Sequence, residues 1–152
     1  MSRMASPARG HWTLLYDGDC GVCKWGVAAI LAWDRRRALM PRAIQGEQGE
    51  ALLADLDPGE RLSSWHLVSP AGRRFSAGPA LAPLLRQLPG GSVPAAAISA
   101  FPRLTNRAYA WIAGHRSQLS KAVPAAAKRR AGERVVRAET ERSLNSLPKL
   151  AS

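Results

Sequence analysis

The sequence predicts one α/β domain in which a parallel strand, helix, strand crossover is followed by an antiparallel hairpin. Three observations carry that expectation. Residues 12–16 (WTLLY) form a short apolar run suited to a strand, and Asp17-Gly18-Asp19 ends it with turn formers. Directly after the turn, Val22, Trp25, Gly26, Ala29, Ile30 and Trp33 recur at three- and four-residue steps, the period of a helix that buries one face. Further on, residues 65–68 (WHLV), the turn Ser69-Pro70-Ala71-Gly72 and residues 73–76 have the form of two strands joined by a tight connection. At 152 residues and 46% hydrophobic composition, the chain can bury a core without staples.

The elements follow in order. Residues 12–16 are the first strand, buried because nearly every position is apolar. The first helix runs over residues 20–36, with Asp19 as its N-cap and Arg35-Arg36-Arg37 at the end where the helix dipole favours cations. Residues 39–44 are a second strand, at a sheet edge or interrupted by an irregularity because Pro41 has no amide donor. Residues 46–57 repeat Ala51, Leu52, Leu53 and Leu56 at helical spacing until Asp57-Pro58-Gly59 breaks the pattern. After the hairpin, Pro79 suits the first turn of a helix that reaches Leu88, and two more helical pieces begin near Pro94 and Pro102. From about Lys121 the apolar period weakens, and Val135 and Val136 support at most one marginal helix with no core face. The expected organisation is a flexible N-terminus over residues 1–10, a domain over residues 11–120 and a basic, mobile tail over residues 121–152.

Composition narrows the function. The formal charge is +11: residues 1–120 hold 14 Lys/Arg against 8 Asp/Glu, and residues 121–152 hold 8 against 3. That excess at the end predicts weak, salt-sensitive attraction to an anionic partner, unless it is only Arg-rich background composition. Residues 1–10 contain two arginines and no apolar run of the roughly 7–15 residues of a secretory signal, which predicts a cytoplasmic protein. The longest apolar stretch, residues 87–101, is interrupted by Pro89, Gly90, Gly91 and Pro94, so no membrane span is expected.

Both cysteines stand in one motif, Cys20-Gly21-Val22-Cys23, at the strand-to-helix junction. Two thiols three positions apart at a helix start lie roughly 5 to 6 Å apart at Cα and can close a disulfide without moving the backbone. If the pair is catalytic, Cys20 is the attacking sulfur, its thiolate stabilised by the free amides of the helix start, and Cys23 resolves the mixed disulfide. Asp17 is either a proton acceptor for a thiol or a turn residue. Asp19 would raise the Cys20 pKa by charge alone, and capping is the expected use of its carboxylate. Lys24 either lowers a thiol pKa or is solvated, and Trp25 either rims the site or packs in the core. A zinc site would need about four ligands, and His11, His66 and His115 add none at a familiar spacing. His66 reads as a strand residue, and His115 beside Arg116 as a surface group or an anion contact. Asp17-Gly18-Asp19 after a strand would also open an aspartate-nucleophile phosphatase, but Gly21 stands where that chemistry wants a hydroxyl or branched residue. No metal or other cofactor is expected.

Asp17-x-x-Cys20-x-x-Cys23, preceded by a strand ending in Tyr16, resembles the signature of the DCC family of thiol-disulfide oxidoreductases, which is named for those three residues. Similar elements continue through residues 65–69, Phe75-Ser76, residues 80–88 and residues 109–116, so the resemblance covers about residues 12–119. It implies a thioredoxin-like sheet with extra C-terminal helices, a dithiol site at Cys20 and Cys23, and a protein or small-molecule thiol or disulfide as substrate. The wider thioredoxin pattern sets a cis-proline before the hairpin strand, facing the cysteines. Here Ser63-Ser64 stands at that place, which makes Ser64 a candidate to hydrogen-bond a partner or a sulfur. The dipeptide Gly21-Val22 also lacks a proline.

Overall fold

The computed structural model describes residues 10–147. Residues 1–9 of the expected flexible N-terminus and residues 148–152 of the expected tail lie outside the described residues. Four strands, β1 (Trp12–Tyr16), β2 (Leu39–Ala43), β3 (His66–Val68) and β4 (Arg74–Ser76), form one sheet in the order β2-β1-β3-β4. β1 is parallel to β2, from Trp12 opposite Leu39 to Tyr16 opposite Ala43, and antiparallel to β3, with Leu14 opposite Leu67. β3 turns back antiparallel to β4. This is the expected crossover followed by a hairpin, with the apolar first strand at the centre and Pro41 on an edge strand.

A central strand must be apolar on both faces, and β1 is buried from Thr13 to Tyr16. Leu14 and Tyr16 join Leu39 and Leu67 on one face, under Val27 of helix α1 (Gly21–Trp33) and Leu84 of helix α4 (Leu81–Gln87). Leu15 and Val68 meet Ile44 and Leu53 on the other, beside helix α2 (Glu47–Leu52). His66 belongs to this second face. It is buried, its Nε2–H donates to the Arg61 carbonyl at 3.0 Å and its Nδ1 accepts from the Ser76 hydroxyl at 2.6 Å, and burial pushes its pKa down.

Two features depart from expectation between β2 and β3. α2 ends at Leu52, and Asp57-Pro58-Gly59, read as a breaker, instead starts helix α3 (Pro58–Ser63). Asp57 is its N-cap, Pro58 occupies the first helical position, and the Glu60 side chain returns to the Asp57 amide at 3.1 Å. The proline read as a stop opens a helix instead, because a first-turn amide has no helical partner to lose. A 3₁₀ turn (Gly78–Ala80) leads into α4, and helices α5 (Ser92–Ala100), α6 (Pro102–Gly114) and α7 (Arg116–Ala122) follow.

The largest correction concerns the expected mobile tail. Residues 125–146 form a 22-residue helix, α8 (Ala125–Ser146), that packs along α1 and against β2. Its inward stripe is Lys128, Ala131, Gly132, Val135, Ala138, Glu139 and Arg142, a three- and four-residue spacing made of small and charged residues. Val135 is fully buried in the same core as Leu14 and Tyr16, which stabilises the packing by about 1.5–3 kcal/mol. Arg142 reaches the corner between α1 and β2, where its Nη1 donates to Asp34 Oδ2 at 2.7 Å and to the Leu39 carbonyl. Asp34 also accepts from the Ala38 and Leu39 amides, each at 3.0 Å. Glu139 accepts from the Tyr16 hydroxyl at 3.4 Å and pairs with Arg42 at 3.3 Å. Two of the charges that suggested a solvated tail, Glu139 and Arg142, attach it.

Candidate active site

The Asp17-Gly18-Asp19 turn is locked before the helix begins. Asp17 Oδ1 accepts from its own turn, the Asp19 amide, at 3.0 Å, and the Cys20 amide donates to the Asp17 carbonyl at 3.3 Å. Gln45, just past β2, spans the loop: its Oε1 accepts from the Gly18 amide at 2.9 Å, while its Nε2 donates to Asp17 at 2.7 Å and to Asp19 at 3.3 Å. Both carboxylates are thereby held on the Gln45 amide.

The N-cap of α1 is Cys20, in place of the expected Asp19. Cys20 has extended backbone angles, and its Sγ accepts from the Cys23 amide at 3.3 Å. That is the bond a serine or threonine cap makes to the third helical residue, here received by sulfur. Asp19 is free of the capping role because the turn and Gln45 engage it. The donor and the positive helix start both favour a thiolate at Cys20 in the reduced state. In this structure Cys20 and Cys23 are joined as a disulfide with Cα atoms 5.2 Å apart, as expected for a C-x-x-C at a helix start.

Both cysteines are half-buried, but they face different surroundings. Cys23 and Asp17 line an apolar cavity of about 270 Å³ between the sheet, α1, α4, α6 and α7, and Cys20 is absent from its wall. Ser64 and Trp65 line the opposite approach in extended backbone before β3, so Ser64 shares a cavity with Cys23. Tyr109 of α6 adds a half-buried phenol held against the Trp65 backbone and the Ser64 side chain, its pKa pushed up by desolvation. No peptide bond among the described residues is cis.

Lys24 and Trp25 lie apart from this cavity. The Lys24 ammonium sits over Gly132 of α8, and Trp25 shares a groove with Ala127 and Ala131 of the same helix. Adjacent helical positions are rotated by about 100°, so residues one and two beyond Cys23 turn toward α8 while Gly26 and Val27 return to the cavity. Sequence reasoning missed Gln45, Tyr109, Arg116 as a cavity residue, and Lys128. The Lys128 stem lies over Gly21, where a Cβ would come within 2.9 Å of its Cδ, and its ammonium donates to the Ser120 carbonyl at 2.8 Å. Tyr109 and Arg116 fell within the segment that carried the family resemblance; nothing local marked Gln45 or Lys128.

A C-x-x-C pair at the start of the first helix, beside the central strand of a four-stranded mixed sheet, defines a protein of thioredoxin-like fold with a vicinal cysteine site. More narrowly, the chain belongs to the DCC1-like thiol-disulfide oxidoreductase family, whose model matches residues 14–122. No curated protein and no solved structure matches the chain. The family match begins in β1 and ends with α7, so α8 lies beyond it. No helix among the described residues is long and apolar enough to cross a membrane.

Proposed function

We propose that the protein exchanges thiols and disulfides through Cys20 and Cys23, with Cys20 attacking and Cys23 resolving. The observation that supports this reading best is the Cys20 sulfur at the N-cap, accepting the Cys23 amide. In the reducing direction the Cys20 thiolate attacks one sulfur of R–S–S–R′, forming Cys20–S–S–R and expelling R′S⁻. The Cys23 thiolate then attacks the Cys20 sulfur, closing the internal disulfide and expelling RS⁻. The electron pair ends on the two released thiolates, and an external dithiol restores the reduced pair. Asp17 and Asp19, tethered by Gln45, keep their charge directed at an amide donor, which limits how far they oppose the thiolate. The proposed compartment is the cytoplasm, supported by a cysteine content confined to one reactive pair.

The test is dithiothreitol-dependent reduction of a model disulfide. Cys20→Ser abolishes turnover, and Cys23→Ser accumulates a mixed disulfide on Cys20. Wild-type inertness, with Cys20 titrating near the ordinary thiol value of about 8.5, would overturn the proposal. A reduction potential measured by thiol trapping then assigns the direction of electron flow.

A second reading is favoured by the outer surface of α8, where Arg129, Arg130, Arg134 and Arg137 are exposed. This surface would attract an anionic partner in a salt-dependent way. Because Val135 and Arg142 are buried, charge reversal at Arg129, Arg130 and Arg137 is the informative change, since deletion of the helix would disturb the core. Unchanged retention on nucleic acid or anionic lipid would remove this reading.

A further inference from the structure

We infer that the cavity beside Cys23 binds a small thiol or disulfide with an apolar body and one carboxylate, the body filling the cavity and the carboxylate pairing with Arg116. The inference rests on the proposed exchange at Cys20 and Cys23 and adds the class of substrate.

The size comes first. A cavity of about 270 Å³ lies just below the roughly 300–1,000 Å³ of sites that enclose drug-sized molecules, so it suits a compact ligand. Its wall is apolar from several elements at once: Leu14 of β1, Ile30 of α1, Leu84 of α4, Ile112 of α6 and Leu119 of α7. Such a surface favours an aromatic or branched aliphatic body over a hydrophilic one.

The polar groups then separate into occupied and available ones. Asp17 is held by Gln45 and by its own turn. Tyr109 is held against Trp65 and Ser64. Arg116 also lines the wall, and among the described residues no carboxylate pairs with it. A guanidinium beside an apolar cavity matches a planar carboxylate bidentately, and the low-dielectric surroundings strengthen the pair. An extended polypeptide fits less well. β3 is already paired on both sides, by β1 and β4, and so offers no free edge for strand addition. The occupant that answers both the wall and the cation is an apolar monocarboxylate, and Cys23 places its sulfur next to the disulfide.

Two arms test this on the full chain. In the first, turnover of bis(4-carboxyphenyl) disulfide, which carries one carboxylate on each thiol half, is compared with that of bis(2-hydroxyethyl) disulfide and of a cysteine-peptide disulfide, each corrected for its uncatalysed exchange with dithiothreitol. The wild type prefers the carboxylated substrate by at least about tenfold in kcat/KM, and Arg116→Gln reduces that preference about tenfold, as loss of a charge-assisted pair predicts. Arg116→Lys restores part of it.

In the second arm the oxidised protein is titrated with 4-(methylthio)benzoate, a thioether that cannot exchange. Binding below about 1 mM is expected for a ligand of this size. Arg116→Gln weakens it about tenfold, and Gly26→Leu, which projects a side chain from a cavity-lining position with nothing within 4 Å of its Cβ, removes it without lowering the thermal midpoint. Absence of thioether binding, binding indifferent to both substitutions, or preference for a cysteine-peptide disulfide overturns the inference. Arg116-dependent thioether binding with no turnover of any disulfide would instead fail the exchange reading alone.

Discussion

Replacing Arg142 with methionine tests whether α8 is integral to the fold. The Arg142 side chain is 9% exposed and that of Asp34 is 0% exposed, and their contact at 2.7 Å joins residues 108 positions apart in sequence. Methionine keeps much of the aliphatic stem but leaves the Asp34 carboxylate buried with only the Ala38 and Leu39 amides as donors. It also deprives the Leu39 carbonyl of the guanidinium. Removing one member of a buried pair costs about 3–5 kcal/mol, and the two amides that remain place the expected loss near 3 kcal/mol. Against a total stability of roughly 5–15 kcal/mol this is a large fraction. With a urea m-value of about 2 kcal/mol/M, the unfolding midpoint falls by about 1.5 M. Adding Asp34→Asn removes the stranded charge, so the double variant recovers about 1 kcal/mol or more relative to additivity. A loss under about 1 kcal/mol in Arg142→Met would show a solvent-screened pair and would refute the attachment of α8 by this contact.

Two glycines bracket the backbone argument. A Cβ at Gly49 would strike the Ala43 and Ile44 carbonyl oxygens, so Gly49→Ala is expected to cost about 1–3 kcal/mol, whereas Gly59, inside α3 with open space around it, gains about 0.4–1 kcal/mol as alanine; urea unfolding reads both. Burial lowers the His66 pKa below 6.5, so its neutral form contributes stability that is complete above 6.5 and is lost as pH falls toward the folded value, when the unfolded chain takes up the proton first. Denaturation at pH 7.5 and 5.5 measures that loss, and His66→Gln diminishes it. Tyr16 has the opposite sign: burial, then Glu139, push its pKa from 10.0 to about 12, so stability is intact below pH 10 and falls by about 2–3 kcal/mol as pH rises through the folded value. Tyr16→Phe removes that alkaline dependence.

Sheet topology was legible where one residue type performed one task. The WTLLY run is continuous because a central strand is buried on both faces, and Pro41, which has no amide to give, allowed an edge strand or an irregularity, of which the edge is observed. Helix α3 was carried by the same Asp57-Pro58-x-Glu60 residues that looked like a stop; only the acid at the third helical position tells a start from an end. α8 was hidden because its inward stripe uses Ala131, Gly132 and Ala138 for close approach, has Val135 as its one large apolar residue and is otherwise charged. An apolar-period search weighs alanine little and counts Arg142 and Glu139 as solvated, although their partners, Asp34, Tyr16 and Arg42, are far upstream. At the site, the cysteine pair was evident from the motif and the groups packed around it were not. Gln45 acts from the far end of the crossover, and Lys24 and Trp25 follow the cysteines in sequence yet turn to another face of the helix.

The position of α8 bears on the cysteine site as well as on stability. β2 is an edge strand, and α8 covers it through Arg142 and Glu139 while sending Lys128 over Gly21 between the two cysteines. One helix beyond the family match therefore shields the sheet edge, contributes Val135 to the core beneath the cavity and occupies the α8-facing side of the motif. Lys24 and Trp25 are committed to that same interface. The side bounded by Ser64, Tyr109 and Arg116 is the open, apolar approach to the disulfide at Cys23, while Cys20 serves as the N-cap of α1. The two sulfurs of one disulfide thus meet different environments. In the exchange proposed above, the amide donor at Cys20 is what would stabilise a leaving or attacking thiolate, and the apolar room beside Cys23 is what would select the exchanging molecule.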